Sequence, residues 1–351
     1  MKNKILPKLW FILLSALFFD AAMGQSPARI CSPDSFSCHT KKIIFSLTQG
    51  GNSKRFRTLK KSFLNDSSKN IFIHKQAIDW LGLYRNLYVD INGKTDSMVY
   101  ITCHYDKADG NLFMLVSVLL NGSLDFFLSP AYFSKGAYDN GTGCAVAREL
   151  IRQMQQYNPH YTYRFLFTGQ EEEGLRGSRR HVSGLSKKEW SKVVYAVNID
   201  MIGEKGNKNL YVSADVSDSA LVMQVFRISL LNHLNLSFNA IKKTGGTSDF
   251  ESFKGQSFCK DFLKSFEFNL PGAFLPQRSY FTSRKKAVPV INFTDSCRFG
   301  ISDMLSIYSP FSFGHEHSYK DKPSRIDYNR LYNYYQLIWH LLESKDIALK
   351  R

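Results

Sequence analysis

The chain has 351 residues, 44% of them hydrophobic and 14% aromatic, which is enough apolar material for a large core and excludes a disordered tail or a coiled coil as its main state. Lys and Arg outnumber Asp and Glu by 46 to 30, a formal net charge of +16, so an anionic partner has to be weighed against whatever motifs the chain carries. The length suits one large α/β domain or two small ones.

Lys2, Lys4 and Lys8 precede an almost wholly apolar run at residues 9–19, and Ala22 and Gly24 place small residues at positions −3 and −1 of a cleavage site. This is the pattern of a secretory signal, and the run is about half of what a bilayer span needs. The expectation is a signal peptide over 1–24 and a single domain over 25–351, exported to the periplasm or the extracellular space, with no transmembrane segment. The signal holds three Lys and one Asp, so its removal takes the net charge from +16 to +14 and leaves the basic excess with the folded protein.

Residues 40–64 mix apolar and basic positions as an interrupted helix. Residues 87–91 and 98–103, separated by Asn92-Gly93, read as a β-hairpin or as two adjacent strands. Residues 112–120 and 124–128 flank Asn121-Gly122, a strong hairpin signal. Helical periodicity runs over 144–156, 219–234 and 328–349, and short apolar strands fall at 163–168, 193–199, 210–213 and 290–294. Strands alternating with helices predict an α/β three-layer sandwich, a central mixed, largely parallel β-sheet flanked by helices. Sites in such sheets gather at the carboxyl ends of the strands. There is no CxxC, which argues against a thiolate zinc site, and Cys103 and Cys144 read as buried thiols.

The strand ends carry the chemistry. His104-Tyr105-Asp106 follows the strand at 98–103; residues two apart in extended chain share a side, so Asp106 can orient a metal-binding His104. By itself this pair reads more simply as a histidine satisfied in the core. Asp139 stands among glycines in Gly136-Ala137-Tyr138-Asp139-Asn140-Gly141-Thr142-Gly143, where an ordinary helix cap is the simpler alternative. Glu171, Glu172 and Glu173 are three adjacent carboxylates after a core strand, a repulsion that calls for a cation. Asp200 ends an otherwise apolar run and needs a partner if buried. His315 and His317 lie in a loop before the last helix. Mixed N/O ligands of this kind suit zinc, with Co2+ or Mn2+ as substitutes.

In order, His104-Tyr105-Asp106, the Asp139 motif, Gly169-Gln170-Glu171-Glu172-Glu173-Gly174-Leu175-Arg176-Gly177-Ser178, Asn198-Ile199-Asp200-Met201-Ile202-Gly203 and His317-Ser318-Tyr319-Lys320-Asp321 resemble the M28 family of zinc aminopeptidases, over about residues 40 to 350. The resemblance implies two Zn2+, one held by His104 and Asp200, the other by Glu172 and His317, with Asp139 bridging. It implies Glu171 as the general base, Asp106 as the partner of His104, a cis Asp139–Asn140 peptide, and hydrolysis of the N-terminal residue of peptides with a free N-terminus by a metal-activated water. Relative to compact members, residues 107–135 form an insertion, with the Asn121-Gly122 hairpin inside it. Ser248, Asp249 and Phe250 resemble a substrate-pocket loop that often reads Ser-Asp-His, with Phe250 in place of the His.

Glutaminyl cyclases and carboxypeptidases are the alternatives on the same fold. Cys103-His104-Tyr105-Asp106 is similar to the cyclase version of the first motif, yet cyclases carry a Trp-containing insertion after the glutamates where Glu173-Gly174-Leu175 here runs straight on. The basic stretches, Lys54-Arg55-Phe56-Arg57 with Lys60-Lys61 and Arg284-Lys285-Lys286, come without a nucleic-acid motif and read as a solvated face. That face suits acidic peptides or an anionic envelope surface. The sequence specifies no oligomeric state.

Overall fold

Eight segments rich in Val, Ile, Phe and Tyr pair into one sheet in the computed structural model, which describes residues 31–64, 71–108, 134–240, 247–254, 286–295 and 320–344. The strands are β1 Ile71–Ala77, β2 Arg85–Ile91, β3 Met98–His104, β4 Thr162–Thr168, β5 Val193–Ile199, β6 Leu210–Ser213, β7 Leu236–Asn239 and β8 Val290–Phe293. Their spatial order is β1-β2-β4-β3-β5-β8-β6-β7. The centre, β4-β3-β5-β8, is parallel, whereas β1-β2, β2-β4 and β8-β6 are antiparallel. The expected mixed, largely parallel sheet is therefore present.

Among the described residues eight α-helices flank it: α1 Pro33–Leu47, α2 Asn52–Leu64, α3 Thr142–Met154, α4 Arg176–Gly184, α5 Lys187–Ser191, α6 Ser219–Leu231, α7 Phe250–Phe253 and α8 Tyr328–Glu343. In α1 the buried Phe36, Thr40, Ile44 and Leu47 recur at three- and four-residue intervals, one helical face. That face belongs to a layer in which α1, α3 and α8 pack on one another. On the opposite side of the sheet, α4, α5 and α7 contribute Val182, Trp190, Phe250 and Phe253 to a cluster with Tyr100, Leu166 and Ala196. The described residues from Ser32 onward belong to one compact unit. Among the described residues no helix is long and apolar enough to cross a membrane.

The expected pairing of 87–91 with 98–103 needs correction, because β4 lies between β2 and β3. A Cβ at Gly93 would stand 2.1 Å from the Tyr161 carbonyl oxygen. Lys94 and Thr95 donate their N–H groups to the carbonyls of Pro159 and His160. The turn thus wraps the start of β4 and closes no hairpin; the alternation of β2 is satisfied by either neighbour, and a close backbone crossing decides. The signal segment, the 112–128 hairpin and His317 lie outside the described residues.

Candidate active site

The middle strands bring three chain ends together. β4, β3 and β5 are adjacent and parallel, so Glu171, His104 and Asp200 leave the sheet at one edge. Asp139 arrives from the turn Ala137–Gly141 that leads into α3, and the Asp139–Asn140 peptide is cis, as the resemblance implied. Asn140 fixes this turn. Its side chain donates to the Ile199 carbonyl (2.8 Å) and accepts from Gly143 N–H (3.0 Å). A Cβ on Gly143 would meet Asn140 Oδ1 at 2.5 Å and the Ile199 carbonyl at 2.7 Å, so only glycine allows the approach. Asn140 is fully buried, so the Asn140-Gly141-Thr142 sequon has no room for a glycan.

His104 is the centre of the group. Its Nδ1 faces the Asp106 main-chain oxygen at 3.1 Å and Asp106 Oδ1 at 3.6 Å. Both are acceptors, which assigns the proton to Nδ1 and leaves the Nε2 lone pair facing inward. Nε2 lies 3.0 Å from Asp139 Oδ1 and 3.2 Å from Asp200 Oδ1. One ligand atom from each of the three residues falls within 4.8 Å of the others, and all three side chains are buried. Two carboxylates facing Nε2 call for positive charge between them, a proton on Nε2 or a metal ion in its place, and one imidazole nitrogen with two carboxylate oxygens suits zinc.

The electrostatics agree. Burial by itself would depress the His104 pKa, but the negative charges of Asp200 and Glu171 outweigh it and hold it well above the usual imidazole range. Desolvation pushes the Glu171 carboxyl well up, and Asp200 and Glu172 add to the shift against the opposing pull of His104. Positive charge placed in this space would reverse both shifts, favouring a neutral His104 and an ionised Glu171.

Glu171 and Glu172 sit in a tight turn bounded by non-glycine residues with positive φ, Gln170 (56°) and Leu175 (59°). The residue after Asp200, Met201, has φ 49°. Such conformations cost energy and gather at functional sites. Glu172 donates its N–H to Asp106 Oδ2 at 3.3 Å, so Asp106 ties the glutamate turn to His104. The Glu172 side chain is partly buried and stands outside the three-residue group. His317 is outside the described residues.

Ser248, Asp249 and Phe250 are buried. Ser248 donates to Asp200 Oδ2 at 2.7 Å and accepts from Asn198, which also bonds Thr102 and Asn292. This leaves Asp200 Oδ1 turned toward His104. Asp249 accepts from Thr168, and burial pushes its carboxyl up to about 6. Phe250 packs in the core cluster below the sheet.

Two residues have positioning roles that the sequence did not assign. Arg55, counted with the solvated basic face, is fully buried: it donates to the carbonyls of Tyr105, Lys135 (3.2 Å) and Gly136 (3.0 Å), joining the loops that carry His104 and Asp139. The available signal was its register with Leu59 and Phe63 on the apolar face of α2. Asp321 accepts from Tyr138 N–H (2.5 Å) and the Ser134 hydroxyl (3.1 Å), bracing the Asp139 turn; burial and the Asp139 charge push its carboxyl up to about 7.

Residues 86–342 match the profile of peptidase family M28. The aminopeptidase YwaD of Bacillus subtilis (strain 168) is 30% identical over 200 residues, 56% of this chain and 35% of that protein, so the match spans about a third of the relative's length. A glutaminyl cyclase from an Acidobacteriales bacterium superposes with TM-score 0.61 at 18% identity, covering 92% of this chain and 97% of the other. A Zn-dependent exopeptidase from Parabacteroides distasonis gives TM-score 0.57 at 14% identity over 91% of this chain and 100% of the other. At these identities the structural likeness establishes the fold.

Proposed function

Because the chain belongs to peptidase family M28, we propose that it is a zinc-dependent exopeptidase that removes the N-terminal residue from peptides. The observation that carries this reading is the His104 Nε2 lone pair aimed between Asp139 and Asp200 at 3.0 and 3.2 Å. Two zinc ions would be held, one by His104 and Asp200 and the other by Glu172 and His317, with Asp139 contributing to both. Co2+ or Mn2+ would substitute. Bound zinc would polarise the scissile carbonyl and lower the pKa of a water.

The remaining work falls to side chains. Glu171 takes the proton of the attacking water and delivers it to the leaving amine. Asp106 holds the His104 ring and its tautomer, Ser248 holds the orientation of Asp200, and Asn140 and Asp321 hold the turn of Asp139. The free amine of the substrate binds beside the carboxylates, which restricts cleavage to the first peptide bond. The basic, apolar and small-residue pattern of residues 1–24 supports export, with a mature start at Gln25.

The test uses purified protein on aminoacyl-nitroanilides, their N-acetylated forms and peptides with N-terminal Gln, with and without chelator. The expected result is release of nitroaniline from the free-amine substrates, abolished by chelation. Turnover of N-acetylated substrates would overturn the reading, and pyroglutamate release would replace it with a cyclase.

A further inference from the structure

The basic excess and an exposed apolar loop meet at one corner of the molecule, and the proposed chemistry uses neither. The turn joining β1 to β2 presents Trp80, Leu81 and Leu83 at 91%, 58% and 68% exposure. Single exposed apolar residues are ordinary, but a Trp and two Leu within four residues are not. The turn is braced: Asp79 accepts from the N–H groups of Leu83 (3.1 Å) and Tyr84 (2.6 Å), and Ile78 N–H donates to the Tyr84 carbonyl (2.9 Å). Its apolar side chains are therefore held outward by local structure.

A cavity beside the turn is lined by Leu83 and Tyr84 together with Arg57, Lys60, Lys75 and Arg85. None of the described residues lining it is acidic. Arg57, Lys75 and Arg85 are exposed, as are Lys54 and Lys61 further along α2. The corner lies at the edge of the sheet that carries the candidate site. β2 begins opposite the end of β4, with Leu87 paired to Phe167, and the Arg85 carbonyl accepts from the Tyr105 hydroxyl.

We propose that this corner docks on an anionic lipid bilayer, with Trp80, Leu81 and Leu83 entering the headgroup region and Arg57, Lys60, Lys75 and Arg85 at the level of the phosphates. Trp favours the interface between water and hydrocarbon, and clustered Lys and Arg add attraction to anionic lipid. Trp80, Leu81 and Leu83 stand out into solvent, which suits insertion into a soft surface better than the capture of a peptide. A second copy of the chain in an isologous contact would bring the same cations face to face, which charge disfavours. Docking so oriented would turn the edge bearing His104 and Asp200 toward the membrane surface. The inference is independent of the proposed peptidase activity.

The test mixes the mature full chain with vesicles of phosphatidylcholine alone and of equal parts phosphatidylcholine and phosphatidylglycerol, followed by sedimentation and tryptophan emission. Trp190 and Trp339 are buried, so a spectral change reports Trp80. The expected result is sedimentation with the phosphatidylglycerol vesicles, a blue shift of the emission, and weakening with salt. The double variant Trp80→Ser/Leu83→Ser should lose the bound fraction while keeping its thermal melting and nitroanilide turnover. Lys60→Gln and Lys75→Gln should each weaken binding about five-fold. Absence of sedimentation at low salt, or equal binding by the double variant, would overturn the proposal. So would a concentration-dependent dimer, seen by light scattering and lost in the double variant, which would make the corner a self-association surface.

Discussion

Two aspartates sit just past the ends of neighbouring parallel strands, Asp200 one residue after β5 and Asp295 two residues after β8, and each is 4% exposed. Their surroundings differ. Asp295 receives both nitrogens of the Arg330 fork, the Tyr334 hydroxyl and the N–H groups of Gly203 (2.7 Å) and Glu204 (3.0 Å). The protein itself supplies its countercharge. Asp200 receives Ser248 on one oxygen and turns the other toward an imidazole lone pair and the Asp139 carboxylate. Burial of an acid therefore says little about function; what the acid faces says more. Asp295 holds the loop that follows Asp200, so the neutralised site shapes the one that still calls for a cation.

Removing a ligand should break this contrast most severely. His104→Ala is expected to lose bound metal and at least about 10³-fold in kcat/KM, the several kcal/mol that metal assistance supplies. Metal analysis beside the kinetics checks this. Glu171→Gln should lower kcat by about 10² to 10⁴-fold with metal content unchanged, which separates proton transfer from metal binding. Arg330→Met should act on stability: an uncompensated Asp295 costs about 3–5 kcal/mol, read as a fall in the denaturation midpoint of metal-free protein. Asp139→Asn, which relieves repulsion among carboxylates, should in contrast raise that midpoint while abolishing turnover. The smallest effect is expected of Ser248→Ala, a loss of about 10- to 100-fold in metal affinity measured by competition with a chelating dye, because the ligand stays and only its orientation loosens.

The parallel centre of the fold was legible because β4, β5 and β8 are short apolar runs flanked by turn residues, and helices lie between them. The β2–β3 pairing was not, since the crossing of Gly93 over Tyr161 is a contact between segments 68 residues apart. At the site, His104, Asp139 and Asp200 were each weak as isolated residues and became specific as an ordered set at strand ends. Ser248 shows the converse. Its neighbourhood drew attention as a pocket loop, yet its hydroxyl lies beneath Asp200, an orientation set by Asn198 on β5 that no local pattern encodes. Arg55 escaped for a similar reason: its neighbours in sequence are solvated cations, and only its helical register marks it as interior.

The central claim is that His104, Asp139 and Asp200 face one another because they hold zinc. Its most direct measurement is thermal unfolding of chelator-stripped protein during zinc titration, with wild type beside His104→Ala. The account predicts that zinc raises the wild-type midpoint at stoichiometric concentration and leaves the variant unmoved. A wild-type midpoint indifferent to zinc, or an equal rise in both proteins, would contradict it.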